Sequence, residues 1–167
     1  MFSFDNHNEE YDSIDVLAHI LTKCAALGYD CGYTKAQKLL YCCYGVVLAV
    51  YNKRLTREHP KCWQYGPAFP RAFNAHHKGR IDYTKDPFVH VCDSQDPLYD
   101  FVETIDSTIE YYGKYTAGQL VEWSHCPSSP WALCSANGQN LYGDVGDSVI
   151  RAFFRERILK TQLQNRN

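Results

Sequence analysis

The chain of 167 residues has no surplus of positive charge: 17 Lys and Arg stand against 19 Asp and Glu, for a formal net charge of −2. A broad basic face for nucleic acid is therefore not expected, and only a local patch stays open. No apolar run reaches the length of about 18 residues that a membrane-spanning helix needs. The start, Met1-Phe2-Ser3-Phe4-Asp5, has neither a basic segment nor an apolar stretch, so no signal peptide is expected and the reading is cytoplasmic. There is no C-x-x-C, no H-x-x-x-H, no Gly-rich phosphate loop and no Gly-flanked nucleophile. Repeats, low-complexity segments and linkers are missing too, which leaves a single domain of ordinary size.

What is present is apolar and aromatic. Hydrophobic residues make up 45% and charged residues 22%, enough for a real core. Thirteen Tyr supply contact area with a polar tip, which suits either an adhesive surface or a half-exposed core rim. Eight cysteines (Cys24, Cys31, Cys42, Cys43, Cys62, Cys92, Cys126 and Cys134) read as reduced, mostly buried thiols in a chain without a secretory route.

Periodicity predicts a mainly α fold: a single compact helical domain of six or seven helices with at most a small β-hairpin. Residues 1–12 read as a flexible lead-in, 13–160 as the domain and 161–167 as a tail. Ser13 is placed as an N-cap, followed by an apolar face of Ile14, Leu17, Ile20, Leu21, Cys24 and Leu27, with Gly28 ending the helix. Thr34 and Gln37 have capping-box spacing before a helix over 34–51 that is apolar almost all round, and so is expected to be central. Pro60 to Tyr65 and Phe88 to Cys92 are expected as short strands. Pro70 opens a short helix to about His77. Asp96-Pro97 reads as N-cap and first helical residue of a helix with face Leu98, Phe101, Val102, Ile105, Ile109 and Tyr112. Thr116 caps a helix to His125, Ser129-Pro130 starts a turn around Trp131, residues 135–146 form a loop, and Asp147 caps the last helix. The expected core includes Leu17, Leu21, Leu40, Val47, Phe101, Ile105, Leu120 and Phe153.

The segment Cys62 to Pro70 carries the most information. Trp63 and Tyr65 lie two apart, so they share one face of an extended backbone. Gly66 permits a sharp change of direction, and Pro67 and Pro70 each fix their own φ. A rigid, partly buried connection of defined shape follows. Catalytic patterns are weaker. His76-His77 and His125-Cys126 with Cys134 have the wrong spacing for a zinc module, so no metal is expected. Seven His and eight Cys allow accidental pairing, but no oxyanion signature accompanies any pair, and no catalytic residue or cofactor is assigned. Glu103, Asp106 and Glu110 read as a solvated helix face. The remaining signal is a partner surface built from Trp63, Tyr65, Gly66, Pro67, Arg71, His125 and Trp131, several of them types enriched at interaction hot spots. Residues 116–134 hold no Lys or Arg, which argues against a recognition helix for DNA.

Several ordered motifs resemble one family. Tyr33-Thr34-Lys35-Ala36-Gln37-Lys38-Leu39-Leu40-Tyr41, then Gly45 and Leu48-Ala49, resembles the lysine-leucine-glutamine-lysine-leucine-leucine-tyrosine helix of the SocA-like Panacea domain. Asn52-Lys53-Arg54-Leu55, Trp63-Gln64-Tyr65-Gly66-Pro67, Tyr112-Gly113, Thr116, Leu120, Ser124-His125 and Pro130-Trp131 continue the likeness, as does the last helix after Gly146-Asp147. The resemblance covers about residues 14–156. It implies an antitoxin-like, non-enzymatic protein that neutralises a cognate toxin by direct protein–protein contact. The alternative is a regulatory or adaptor protein of phage or mobile-element origin acting on a host factor.

Overall fold

The computed structural model describes residues 9–166. Among them are seven helices and one hairpin in the order α1 (Ser13–Leu27), α2 (Tyr33–Tyr51), β1 (Lys61–Trp63), β2 (Gly66–Ala68), α3 (Pro70–His77), α4 (Tyr99–Gly113), α5 (Ala117–Ser124), α6 (Pro130–Cys134) and α7 (Asp147–Gln164). A single 3-10 turn, Tyr83–Lys85, lies between α3 and α4. The fold is mainly α, as the periodicity predicts. No helix among the described residues is long and apolar enough to cross a membrane.

Helix α2 is the axis. Leu39, Leu40, Tyr41, Cys42, Cys43, Tyr44 and Val47 are all buried, because α4 and α7 pack most extensively on it and α1, α3 and α5 also touch it. A helix covered over most of its circumference must be apolar over most of it, and after its first turn only Val46 and the last turn at Val50-Tyr51 reach the surface. Gly45 is what lets α7 approach. A Cβ at that position would lie 2.1 Å from Cε2 of Phe154, where no real Cβ fits. Of the expected core, Leu17, Leu40, Val47, Phe101, Ile105, Leu120 and Phe153 are buried, and Leu21 is half-buried at the edge.

Several local expectations are corrected. The N-cap of α1 is Asp12, whose carboxylate accepts from Ile14 N at 2.8 Å, while the Ser13 hydroxyl donates to Glu58 Oε1 at 2.6 Å. The N-cap of α2 is Gly32, with no side-chain cap, so Thr34 and Gln37 form no capping box. Gln37 faces inward instead, and its Oε1 accepts from Phe69 N at 2.7 Å. The Phe88–Cys92 stretch is a turn, not a strand. Asp86 accepts from Phe88 N at 2.9 Å, and the Phe88 ring is drawn into a cluster with Tyr11, His19 and Phe101. Asp96 likewise accepts from Leu98 N at 2.9 Å, forming a turn just ahead of α4, which begins at Tyr99. Asp147 is the first residue of α7 rather than its cap, and its carboxylate is taken by Tyr44 OH at 2.6 Å and Arg54 Nε at 2.7 Å.

Of the expected lead-in, residues 1–8 lie outside the described residues. Tyr11 is buried and bridges to Thr56. Helix α7 continues to Gln164.

Candidate partner-binding surface

The hairpin is set by its own residues. Strands β1 and β2 pair antiparallel with Trp63 opposite Gly66, leaving Gln64-Tyr65 as the link. The positive φ that closes so short a turn falls on Gly66, at 103°, a conformation that residues with a Cβ rarely adopt. Burial enforces the same choice: a Cβ on Gly66 would lie 2.4 Å from Ser124 Oγ and 2.7 Å from Lys38 Cε.

Buried polar groups then fasten the hairpin to the helices. Lys38 Nζ donates to Pro67 O at 2.8 Å, and Phe69 N donates to Gln37 Oε1. Trp131 Nε1 donates to Trp63 O at 2.6 Å. On the outer edge, Cys62 N donates to Gly143 O at 2.8 Å and Tyr142 N to Cys62 O at 2.7 Å. Burial holds the Lys38 amine down to about 7, so near neutral pH it shifts readily to a neutral donor.

The expected site residues divide into three groups. Tyr65, at the tip beside exposed Gln64, is 62% exposed and is the aromatic of the hairpin that faces solvent. Trp63 is half-buried, its ring edge-on to Phe73 at 5.3 Å. Trp131 is buried and stacks on His125 with centroids 3.7 Å apart and planes 16° from parallel. Burial, with the Lys38 charge second, pulls the His125 pKa below its ordinary value. Trp63, Gly66, Pro67 and Trp131 thus lie behind the tip, while half-buried His125 stacks on Trp131 and faces the groove beside Tyr65. Arg71 is not joined to them: its Nη1 donates to Asp12 Oδ1 at 2.9 Å and its backbone N to Glu58 Oε2 at 2.6 Å, so it fastens the start of α3 to α1.

Beside Tyr65 the surface falls into a groove lined by Thr34, Val121, Glu122, His125 and Pro127. A larger groove of about 1010 Å³ runs between α4, α5 and α7 over the flank of α2, with Val46, Tyr111, Tyr112, Tyr115, Trp123 and Ile158 on its walls. Sequence reasoning missed the second groove, although Tyr111-Tyr112 and Tyr115 at the end of α4 mark it. Cys126 lies where the two meet, its Sγ accepting from Arg157 Nη2 at 3.4 Å.

Titratable clusters elsewhere serve packing. His19 sits between Asp86 (Nδ1 to Oδ2, 3.1 Å) and Asp106 (Nε2 to Oδ1, 2.7 Å). Burial alone would lower its pKa, but the two hydrogen-bonded carboxylates outweigh burial and hold it up at about 9. Asp106 is therefore turned into the structure rather than onto a solvated face. Among the described residues, no three His, Cys, Asp or Glu side chains converge as a metal-holding group.

With this geometry in place, comparison with known proteins is decisive at the level of family. The family described as "Antitoxin SocA-like, Panacea domain" matches residues 37–132, more than half of the chain. The chain belongs to the SocA-like Panacea family. The matched span starts inside α2 and ends inside α6, so this Panacea segment contains the whole hairpin, the α5 corner and Trp131. The protein named Antitoxin SocA of Caulobacter vibrioides (strain NA1000 / CB15N) is 30% identical over 159 residues, covering 88% of this chain and 84% of that relative. No solved structure matches the chain.

Proposed function

We propose that the chain is an antitoxin that neutralises a cognate toxin by direct protein–protein contact, without catalysis and in the cytoplasm. Membership of an antitoxin family and the curated relative named Antitoxin SocA support the antitoxin role. The observation that carries the contact reading is Tyr65. It is an exposed aromatic on a tip whose base is hydrogen-bonded to α2 through Lys38 and Gln37 and to α6 through Trp131. Such a tip loses little conformational freedom on binding, and a Tyr supplies large contact area at two χ angles.

In this reading Tyr65 and the groove-lining His125 make the contact, and Trp63, Gly66, Pro67 and Trp131 hold its shape. Neutralisation is mass action: a tight complex removes free toxin, and an interface of standard size with a few anchors suffices. The groove from Tyr65 to Pro127 receives the partner beside the tip. The test is co-expression of the chain with the product of each adjacent reading frame. Rescue of growth, with both proteins co-purifying, is the expected result. A neighbour that stays toxic, or rescue without any complex, contradicts the proposal.

A further inference from the structure

We propose that Cys62 and Cys134 form an oxidisable dithiol, converted by a hydroperoxide into an intramolecular disulfide that fastens the hairpin to α6. The proposal stands on the packing of the two thiols and is independent of the toxin reading.

Both side chains converge on one short stretch of backbone. Cys62, in β1, exchanges hydrogen bonds with 142–143 through its own N–H and carbonyl. Cys134, the last residue of α6, donates its S–H to Asp144 O at 3.1 Å, next in the chain. A Cβ on Gly143 would lie 3.7 Å from Cys134 Sγ, so the backbone to which Cys62 N donates runs directly against the Cys134 thiol. From the other side, Cys62 Sγ donates to Trp131 O at 3.8 Å, one helical turn before Cys134. Burial first, with the nearby Cys134 thiol adding to it, raises the Cys62 pKa.

Forming the bond sacrifices little. Trp131 O loses the Cys62 S–H but keeps the Ser135 N–H at 2.9 Å. Asp144 is exposed, so water can replace the Cys134 S–H on its carbonyl.

The two cysteines differ in access, which sets the order of steps. Cys62 is fully buried, and burial pushes its thiol up to about 11, so it stays protonated at neutral pH. Cys134 is half-buried at the surface and meets the oxidant first. Its thiolate attacks the hydroperoxide, the O–O bond breaks, and the Cys134 sulfenic acid forms with release of an alcohol, or of water from hydrogen peroxide. The Cys62 sulfur then attacks that sulfenic sulfur. The S–S bond forms, the S–O bond breaks, and the Cys62 proton leaves with the hydroxyl as water. Overall two thiols are oxidised and one peroxide is reduced.

The chain has six other cysteines, among them Cys24 near the end of α1 and Cys31 just before α2. The test therefore maps the bond. The full reduced chain is treated with hydrogen peroxide, blocked with an alkylating agent, digested without reductant and analysed by mass spectrometry. The expected product is a peptide pair joined through Cys62 and Cys134, reversed by dithiothreitol. Oxidation should also raise the thermal midpoint by about 5–10 °C, because the new bond closes a long loop. Cys134→Ser should remove both the linked peptide and the rise. Free, alkylated Cys62 and Cys134 after peroxide, a bond found only at Cys24 and Cys31, or a rise that persists in Cys134→Ser would overturn the proposal.

Discussion

Gly66→Ala should break the shape of the hairpin without touching its exposed tip. Two costs add. The φ of 103° is strained for any residue with a Cβ, by about 1–3 kcal/mol. The methyl would also lie 2.4 Å from Ser124 Oγ and 2.7 Å from Lys38 Cε. Neither neighbour yields easily: Ser124 is buried with its hydroxyl bonded to Val121 O, and Lys38 is buried with its amine bonded to Pro67 O. Overpacking of this kind costs about 1–3 kcal/mol, so the expected loss is roughly 3 kcal/mol. In urea that lowers the midpoint by roughly 1–2 M with an unchanged slope, and in a thermal melt by about 6–12 °C. Adding Ser124→Ala to Gly66→Ala removes the nearer clash and should return about 1 kcal/mol. Gly118→Ala is the control: its nearest neighbour would be 4.0 Å away and its helix tolerates Ala, so it should gain about 0.5 kcal/mol. A Gly66→Ala loss below about 1 kcal/mol would refute the claim that the hairpin is fixed by close contact at this point.

The remaining predictions concern the braces and the buried charges. Trp131→Phe keeps an aromatic ring against His125 but leaves Trp63 O without its donor, and urea melts should show a loss of about 1–2 kcal/mol. The folded pKa of His19, about 9, lies above its unfolded value near 6.5. Its contribution of about 3 kcal/mol is complete below pH 6.5 and lost as pH rises through 9. The buried Lys38 amine works in the opposite sense, adding stability from pH 7 upward, so the comparison of wild type with His19→Gln across this window isolates the histidine. A constant difference between those two proteins from pH 6 to 10 would contradict it. Arg71→Ala should cost at most about 1 kcal/mol, its ion pair with Asp12 being exposed, and should leave toxin affinity within about twofold.

The helix faces were legible because burial of an apolar stripe is a local periodic signal, and α2, α5 and α6 follow their apolar runs and, in α5 and α6, their capping residues Thr116 and Ser129. The change of direction at Gly66 was legible, but the strand expected over 60–65 is only Lys61–Trp63, and Tyr65 lies in the turn rather than on one extended face with Trp63. What escaped is long-range polar bonding. Gln37 and Lys38 read as ordinary polar positions of a helix start, yet the carbonyl and amide that capture them lie 29 and 32 residues away. His19 finds its carboxylates 67 and 87 residues on. Trp131 and Tyr65 have the same sequence signature as hot-spot residues, but only packing separates the buried brace from the exposed tip. Phe88–Cys92 has strand composition, yet the turn in which Asp86 accepts from Phe88 N decides its conformation.

The central claim is that the hairpin tip grips a protein partner. Its most direct test is the dissociation constant of the purified toxin for wild type, for Tyr65→Ala, and for Tyr83→Ala as an exposed control away from the hairpin. The account predicts a weakening of about tenfold or more for Tyr65→Ala, the size of an interface hot spot, with Tyr83→Ala at the wild-type value. Equal constants for all three folded proteins would contradict it.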